Sequence, residues 1–224
     1  MESSINKLEI IFENYELLVI NKPAGLVVHE GSGPAVTTLV DLLAHHLPKS
    51  PLKTEHYGLV HRLDKDTSGI VLVAKTKDNF TYLRTLFRQR EIHKEYLVLV
   101  HGHLTPKRGI IKIPLSRDLV KRTQVVPRAS GKISETGYEV IGYYRGFTYL
   151  RAQPTTGRTH QIRVHFSSLG YPVVGDKTYG KPDSLARQFL HSHKISFVDL
   201  LGKRQTFIAP LPDDLTQFLD DLSR

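Results

Sequence analysis

The chain has 224 residues, and its 31 Lys and Arg against 22 Asp and Glu give a formal charge of +9 at neutral pH. It contains no cysteine, which excludes disulfides, thiolate metal sites and a cysteine nucleophile. No apolar run reaches the ~18 residues of a membrane helix and no secretory signal is visible, so we expect a cytoplasmic protein with no membrane partner.

Strands and helices alternate in the first part of the chain. Apolar spacing and turn residues predict, in order, strands at 8–12 and 17–21, a helix at 37–47 capped by Thr37 or Thr38, a polar loop at 56–69, a strand at 70–74 and a helix capped by Thr76 or Asp78.

Strands dominate the rest of the chain. They are predicted at 95–100, 109–113, 124–126, 135–144, 147–152, 191–198 and 205–208. A helix at 158–169 closes at Gly170, and a short helix ends the chain. Many strands with few helices predict an α+β fold, with a mixed, largely antiparallel central sheet flanked by helices. We expect a single domain over 1–224.

The positive charge is concentrated in two stretches. Between His103 and Lys132, Asp118 is the only acidic residue. A second basic cluster surrounds Glu91 and consists of Arg84, Arg88, Arg90, His93 and Lys94. A basic stripe raises the local concentration of a polyanion, which makes RNA or DNA the first partner to consider. A solvated basic surface explains the same charges equally well.

A charged loop precedes the apolar strand at 70–74. Loops anchored at the start of a strand often present catalytic groups. The positive charges of Arg62 and Lys65 favour the ionised form of Asp64, and an ionised carboxylate can act as a nucleophile. Spacing alone favours a polar turn held by Arg–Asp pairs, and it does not distinguish Asp64 from Asp66.

Four motifs resemble those of one enzyme family. His61-Arg62-Leu63-Asp64, continued by 66–69 (DTSG), resembles the signature loop of the RluA family of pseudouridine synthases. In the same order as in that family, the further matching segments are 21–25 (NKPAG) with 28–29 (VH), 94–96 (KEY), and 156–165 (TGRTHQIRVH) with 170–172 (GYP) and 175–176 (GD). The resemblance extends from about residue 8 to residue 210.

The resemblance implies the fold and the reaction of that family. The protein would be a pseudouridine synthase that isomerises uridine in RNA and needs no metal or cofactor. Asp64 would be the nucleophile, paired with Arg163. Tyr96 would stack on the extruded base, near the proton that must be removed, and Ile162 would pack against that base.

RNA contacts follow from the same resemblance. The target base must leave its stack before any side chain reaches it. Arg62 is the candidate to fill the vacated space, because its planar guanidinium can stack as a base does, although it could equally bind phosphate. Lys22 and His61 are expected to support the loop at the RNA surface. Further RNA contacts are expected from Arg158, His160 and Gln161.

The expected substrate is large-subunit ribosomal RNA, with transfer RNA as the alternative. The segments 65–69 (KDTSG) and 30–33 (EGSG) resemble the ribosomal members most closely. Those members often carry an additional N-terminal RNA-binding domain, for which we expect no room here, so target selection stays open. The protein is expected to be a monomer.

Other functions are less consistent with the sequence. Residues 175–181 match the start of a phosphate-binding loop, but Pro182 replaces the required Ser or Thr and disfavours a following helix, so an ATPase is rejected. His160 and His165 lie five residues apart, not the four that place two metal ligands on one helical face, and a metallohydrolase is the weakest alternative. A non-catalytic RNA-binding protein is the alternative from another class, and it predicts that Asp64 is dispensable.

Overall fold

The computed structural model describes residues 7–29 and 36–223. The segment 30–33, whose sequence suggested a ribosomal substrate, lies outside the described residues. The chain divides into two compact units. The first comprises Met1–His93 and Lys194–Pro210, and the second comprises Lys94–His193 and Leu211–Arg224.

Eleven strands and four helices are formed by the described residues. In chain order they are β1 Ile10–Glu13, β2 Leu17–Lys22, α1 Leu39–His46, β3 Ser68–Ala74, α2 Lys77–Gln89, β4 His93–His101, β5 Arg108–Lys112, β6 Leu115–Arg117, β7 Val125–Pro127, β8 Glu135–Tyr144, β9 Phe147–Pro154, α3 Gln161–Ser168, β10 Leu190–Val198, β11 Arg204–Ile208 and α4 Asp213–Leu222. A short 3₁₀ segment, Lys53–Gly58, precedes β3.

The first unit is built on the antiparallel strands β1, β2 and β3. Every residue of β2 and β3 is buried, which explains why both read as continuous apolar runs and not as alternating patterns. The strand β10 pairs with β11 from Lys194 to Val198, and Ile195 and Phe207 of this hairpin join the core of the unit. The register of β2 and β3 brings Lys22 opposite Gly69, so the motif at 21–25 begins beside the residue at which the motif at 61–69 ends.

Side-chain caps define the helices of the first unit. The Thr38 hydroxyl accepts a hydrogen bond from the Asp41 amide, and the Asp41 carboxylate accepts one from the Thr38 amide, which forms a capping box before α1. Thr76 caps α2 by accepting from the Asn79 amide. The predicted caps are therefore confirmed, with Thr38 and Thr76 as the capping residues.

The second unit contains the antiparallel strand order β4-β9-β8-β5 and a separate hairpin of β6 and β7. The helix α3 packs on this sheet through Ile162 and Phe166, which join Val98 and Leu150 in one apolar core. The helix α4 contributes Leu215 to a second cluster. Within each unit the strands pair antiparallel, and the α+β class with a largely antiparallel sheet is confirmed.

One predicted helix is shorter in the structure, and one strand was not predicted. The helix predicted at 158–169 spans only 161–168, because His160 has a left-handed backbone (φ 54°) that cannot continue a helix. The strand β6 was not predicted, since three residues are too few to show a pattern. Among the described residues, we find no helix with the length and apolarity needed to cross a membrane.

Candidate active site

The loop that carries Asp64 lies in the first unit and is anchored at both ends. Before Asp64, the His61 Nε2 atom accepts a hydrogen bond of 2.9 Å from the Leu72 amide in β3, which places the ring proton on Nδ1. After Asp64, the Thr67 amide donates to the Asp64 carbonyl and closes a turn. Between these anchors the Leu63 side chain is buried. The backbone on both sides of Asp64 is therefore held in place.

A buried lysine also holds this loop, through a hydrogen bond to its backbone. The Lys22 side chain is fully buried, and its ammonium donates to the carbonyls of Pro23, Leu26 and Lys65 at 2.8, 2.9 and 2.9 Å. An ammonium has three N–H donors, and these three carbonyls match them in number. The supporting role expected for Lys22 agrees with this geometry. Its burial leaves the side chain no surface for RNA in this structure, so the expected RNA contact is not supported.

The side chains around Asp64 differ in exposure. The Asp64 side chain is half-buried, whereas Arg62 and Lys65 on either side are exposed. The arrangement keeps a carboxylate accessible on a rigid backbone and places two cations beside it. Those are the features required of a nucleophile that must meet a large ligand.

The backbone that leads into this loop has an unusual conformation. His56 and Tyr57 have left-handed φ values of 52° and 58°, and Gly58 follows with a φ of 88°. A Cβ atom on Gly58 would lie 1.9 Å from the carbonyl oxygen of Ala74 at the end of β3. The His29 ring lies 4.6 Å from the His56 ring, and burial, together with the charges of His56 and Arg62, lowers the pKa of His29. The loop thus starts from a tightly packed turn.

The second unit holds the other predicted residues. Tyr96 lies on β4 opposite Ala152 of β9, and its half-buried ring packs against the apolar cluster that includes Ile162. The structure therefore places the two side chains expected to contact the base in one cluster. Beside Tyr96, burial lowers the pKa of Lys94 to about 8, and its ammonium approaches the Thr156 carbonyl at 3.4 Å.

Gln161, which was expected to contact RNA, instead organises the start of α3. Its side chain is buried, and its Oε1 atom accepts from the Thr156 hydroxyl at 2.7 Å and from the Arg158 amide at 3.0 Å. Its Nε2 atom donates to the Glu135 carbonyl and to the Thr136 hydroxyl, each at 2.9 Å. Four internal hydrogen bonds use the whole amide group, so an RNA contact is not supported.

Arg158 and His160 flank this network. Arg158 is exposed, which is compatible with its expected RNA contact. His160 is half-buried, and its Nδ1 atom lies 2.8 Å from the hydroxyl of Tyr179. The Tyr179 hydroxyl accepts from the Val125 amide, so its proton is available to His160 Nδ1. The ring orientation of His160 is therefore determined within the second unit.

Arg163 forms a buried ion pair with Asp176. The Arg163 Nε atom donates to Asp176 Oδ2 at 2.7 Å, and Nη2 donates to Oδ1 at 2.8 Å. Burial by itself raises the pKa of Asp176, but the hydrogen bonds and the charge of Arg163, with two backbone amides, outweigh it and bring the pKa below its ordinary value. The Tyr179 ring faces the guanidinium, with the Arg163 Cζ atom 5.1 Å from its centroid.

The structure thus distributes the predicted site residues over two units. Lys22, His61, Arg62 and Asp64 lie in the first, and Tyr96, Arg158, His160, Gln161, Ile162 and Arg163 lie in the second. The expected pairing of Arg163 with Asp64 stays a prediction. Sequence reasoning did not assign functional roles to Asp176 and Tyr179, although Asp176 belongs to the family motif at 175–176 and both lie in the segment 175–181. Among residues 7–29 and 36–223 no cluster of His, Asp and Glu suits a metal ion.

Comparison with known proteins places these motifs in a family. Residues 16–168 match the family described as RNA pseudouridylate synthase. The ribosomal large subunit pseudouridine synthase D of Haemophilus influenzae is 38% identical over 231 residues, which cover 96% of this chain and 71% of that protein. The enzyme of the same name from Nitrosomonas europaea is 40% identical over 223 residues, covering 95% of this chain and 64% of that protein.

The fold has a counterpart among solved structures. Human RNA pseudouridylate synthase domain containing 1 superposes with a TM-score of 0.77 at 27% identity, covering 100% of this chain and 97% of that one. The chain spans about two thirds of the length of the two bacterial relatives.

Proposed function

The chain belongs to the RNA pseudouridylate synthase family, and from this premise we propose that it isomerises uridine to pseudouridine in large-subunit ribosomal RNA, with Asp64 as the nucleophile. The observation that carries the proposal is the family match over residues 16–168, which includes the loop of Asp64, the strand of Tyr96 and the start of α3. The bacterial relatives act, by name, on the large ribosomal subunit, which supports ribosomal RNA over transfer RNA.

The reaction fits the chemical groups of the loop. The N1–C1′ bond of uridine breaks, the uracil turns, a C5–C1′ bond forms, the proton at C5 is lost, and N1 takes up a proton. Substrate and product are isomers, so the reaction has no net redox change. A carboxylate can bond to the nucleoside and be released again. Attack of Asp64 on C1′, its attack on C6, and a glycal route that Asp64 assists all satisfy this balance.

The other residues receive roles by the same reasoning. Arg163 pairs with Asp64 and orients it, Tyr96 stacks on the extruded base near the proton that leaves C5, and Ile162 packs against the base. The common apolar cluster of Tyr96 and Ile162 supports these two assignments. Arg62 replaces the extruded base in the RNA stack, and its exposure supports this role.

We further propose that both units make up one catalytic domain. The family match over residues 16–168 supports this, because it includes most of the first unit and much of the second. A ribosomal RNA substrate would be met in the cytoplasm. The expectation of a monomer stays a prediction.

The proposal can be tested by release of tritium from RNA labelled at uridine C5. Purified protein should release tritium from large-subunit ribosomal RNA, and a chelator should not change the rate. Mapping pseudouridines in cells with and without the gene should show the loss of at least one site in that RNA. Loss confined to transfer RNA would support the alternative substrate, and no release from either RNA would contradict the proposed activity.

A further inference from the structure

The turn at residues 175–180 resembles the start of a phosphate-binding loop in sequence but not in geometry. In such a loop the backbone amides point at a bound phosphate. Here the amides of Thr178 and Tyr179 point at the Asp176 carboxylate within the same turn, at 2.9 and 3.1 Å. The turn therefore binds its own aspartate where a nucleotide-binding loop would bind a phosphate.

Two glycines make this turn possible. Gly175 has a φ of 73°, and a Cβ atom there would lie 2.0 Å from the Arg187 carbonyl oxygen. A Cβ atom on Gly180 would lie 2.4 Å from the Asp176 carbonyl oxygen. Both positions therefore require glycine because another backbone carbonyl lies too close for a Cβ atom. This explains the glycine spacing without a bound phosphate.

The Asp176 carboxylate is fully buried and accepts hydrogen bonds from four N–H donors. Two are the backbone amides of the turn, and two are the Nε and Nη2 atoms of Arg163. The amides orient the carboxylate independently of the arginine, so the carboxylate forms a fixed receptor for one edge of the guanidinium. The Tyr179 ring covers a face of the same guanidinium.

We propose that Asp176 is a positioning residue for the isomerisation: it holds the Nε–Nη2 edge of Arg163 and thereby sets the direction of the third nitrogen, Nη1. The inference rests on the proposed function, in which Arg163 orients the nucleophile Asp64. A guanidinium is rigid and planar, so fixing one edge fixes the whole group. Asp176 then contributes to the reaction through Arg163, from a fully buried position.

The second unit contains another ion pair of the same geometry that serves as a control. Arg187 donates through Nε and Nη2 to Asp214 at 2.7 and 2.9 Å. The Arg187 side chain is buried as the Arg163 side chain is, whereas Asp214 is 49% exposed and Asp176 is fully buried. Arg187 does not belong to any of the family motifs. If Asp176 only stabilised the fold, neither its replacement nor that of Asp214 should lower kcat per molecule of folded enzyme.

The test compares kcat and KM for tritium release in Asp176→Asn and Asp214→Asn. Asparagine keeps an oxygen for the backbone amides but presents an NH₂ group to Arg163, so the guanidinium should shift. A displacement on the order of 1 Å in a catalytic constellation lowers kcat about 100-fold, and we expect this loss in Asp176→Asn with KM within about threefold of wild type. Asp214→Asn should keep kcat within about twofold, because neither Arg187 nor Asp214 has a proposed role in the reaction.

A double variant shows whether Asp176 acts through Arg163. Arg163→Ala should lower kcat strongly, and adding Asp176→Asn should change kcat by no more than about threefold, because the two side chains act as a unit. A further multiplicative loss in the double variant would overturn the inference.

Asp176→Glu covers the case in which Asp176→Asn does not fold. Glutamate keeps the charge but adds a methylene group, so we expect a folded protein with kcat lowered about tenfold and KM little changed. Wild-type kcat in either folded Asp176 variant would overturn the inference while leaving the proposed function intact. Full activity of Asp64→Asn would instead contradict the proposed function itself, so the two failures can be told apart.

Discussion

The buried ammonium of Lys22 donates a hydrogen bond of 2.9 Å to the carbonyl of Lys65, the residue that follows Asp64. This bond joins two motifs that lie about forty residues apart in the chain. The Gly25 amide donates to the same carbonyl at 3.0 Å and strengthens the connection. The turn at 23–26 and the loop of Asp64 are therefore held as one structure within the first unit.

Lys22→Met should destabilise the protein. The substitution keeps the approximate volume of the side chain but leaves three carbonyls without their lysine donor, and we expect a loss of about 3 kcal/mol in the free energy of unfolding. Urea denaturation measures this loss. Lys53→Met is the control, since Lys53 is exposed in the same unit and should change stability by less than about 0.5 kcal/mol. Equal stability of the two variants would show that the buried bonds contribute little.

Asp64→Asn should abolish tritium release while RNA binding survives. An amide is a poor nucleophile, and removing a nucleophile typically lowers kcat by about 1,000-fold or more. Asp66→Asn is the matched control, because it makes the same change two residues later, and it should keep kcat within about tenfold. Binding is measured by filter retention of labelled RNA. Undiminished release by Asp64→Asn would assign the nucleophile to another residue and favour the alternative in which Asp64 is dispensable.

Arg62→Ala should impair turnover of structured RNA more than turnover of a single-stranded oligonucleotide. Extruding a base from a helix costs a few kcal/mol, and the arginine that fills the gap offsets this only when there is a stack to fill. The measurement is the ratio of kcat/KM values for the two substrates. Lys65 is another exposed cation of the loop, and Lys65→Ala should lower kcat/KM to a similar extent for both RNAs. Equal losses on both RNAs for Arg62→Ala would support simple phosphate binding.

Gly58→Ala should be strongly destabilising. The new Cβ atom would lie 1.9 Å from the Ala74 carbonyl oxygen, and the φ of 88° is unfavourable for alanine, so we expect a loss above about 2 kcal/mol. Gly202→Ala separates the two causes, because Gly202 has a φ of 76° in the same unit with no atom within 4 Å of the new Cβ. That variant should lose only about 1 kcal/mol from backbone strain. Similar thermal midpoints for the two variants would mean that the loop relaxes around the clash.

The stability of the protein should depend on Lys94 between pH 8 and 10.5. Burial lowers the pKa of Lys94 from its ordinary 10.5 to about 8, so between these values the unfolded chain binds a proton that the folded protein does not. Stability from this group therefore rises with pH across that range and is lowest below pH 8. Lys94→Met should be more stable than wild type at pH 7, by about 2 kcal/mol, and the difference should shrink toward pH 10.5. A difference that is constant with pH would contradict the shifted pKa.

The helical and strand segments were predictable where their signals are local. Thr38 and Thr76 were recognisable as caps because a cap and its partner amide lie within three residues. The start of α3 was predicted three residues too early, because the left-handed backbone of His160 carries no signal in a non-glycine residue. The strand β6 was missed because it is defined by pairing with β7 and not by its own three residues.

Candidate site residues could be named from the sequence, but their environment could not. The motifs identified Asp64, Tyr96 and Arg163 by resemblance to a family. They did not show that Lys22 and Gln161 use their polar groups within the protein. A lysine or glutamine in a polar motif is more often exposed than buried, so only the tertiary structure shows that these two side chains are buried.

The amino-acid sequence by itself determined the family, the basic character and the position of the loop that carries Asp64, because these depend on residue identity and order along the chain. The tertiary structure decided which polar groups satisfy one another: Lys22 with Lys65, Gln161 with Thr136, and Arg163 with Asp176. The physical reason is that a buried polar group must find a hydrogen-bond partner, and these partners come from segments that are brought together only by folding.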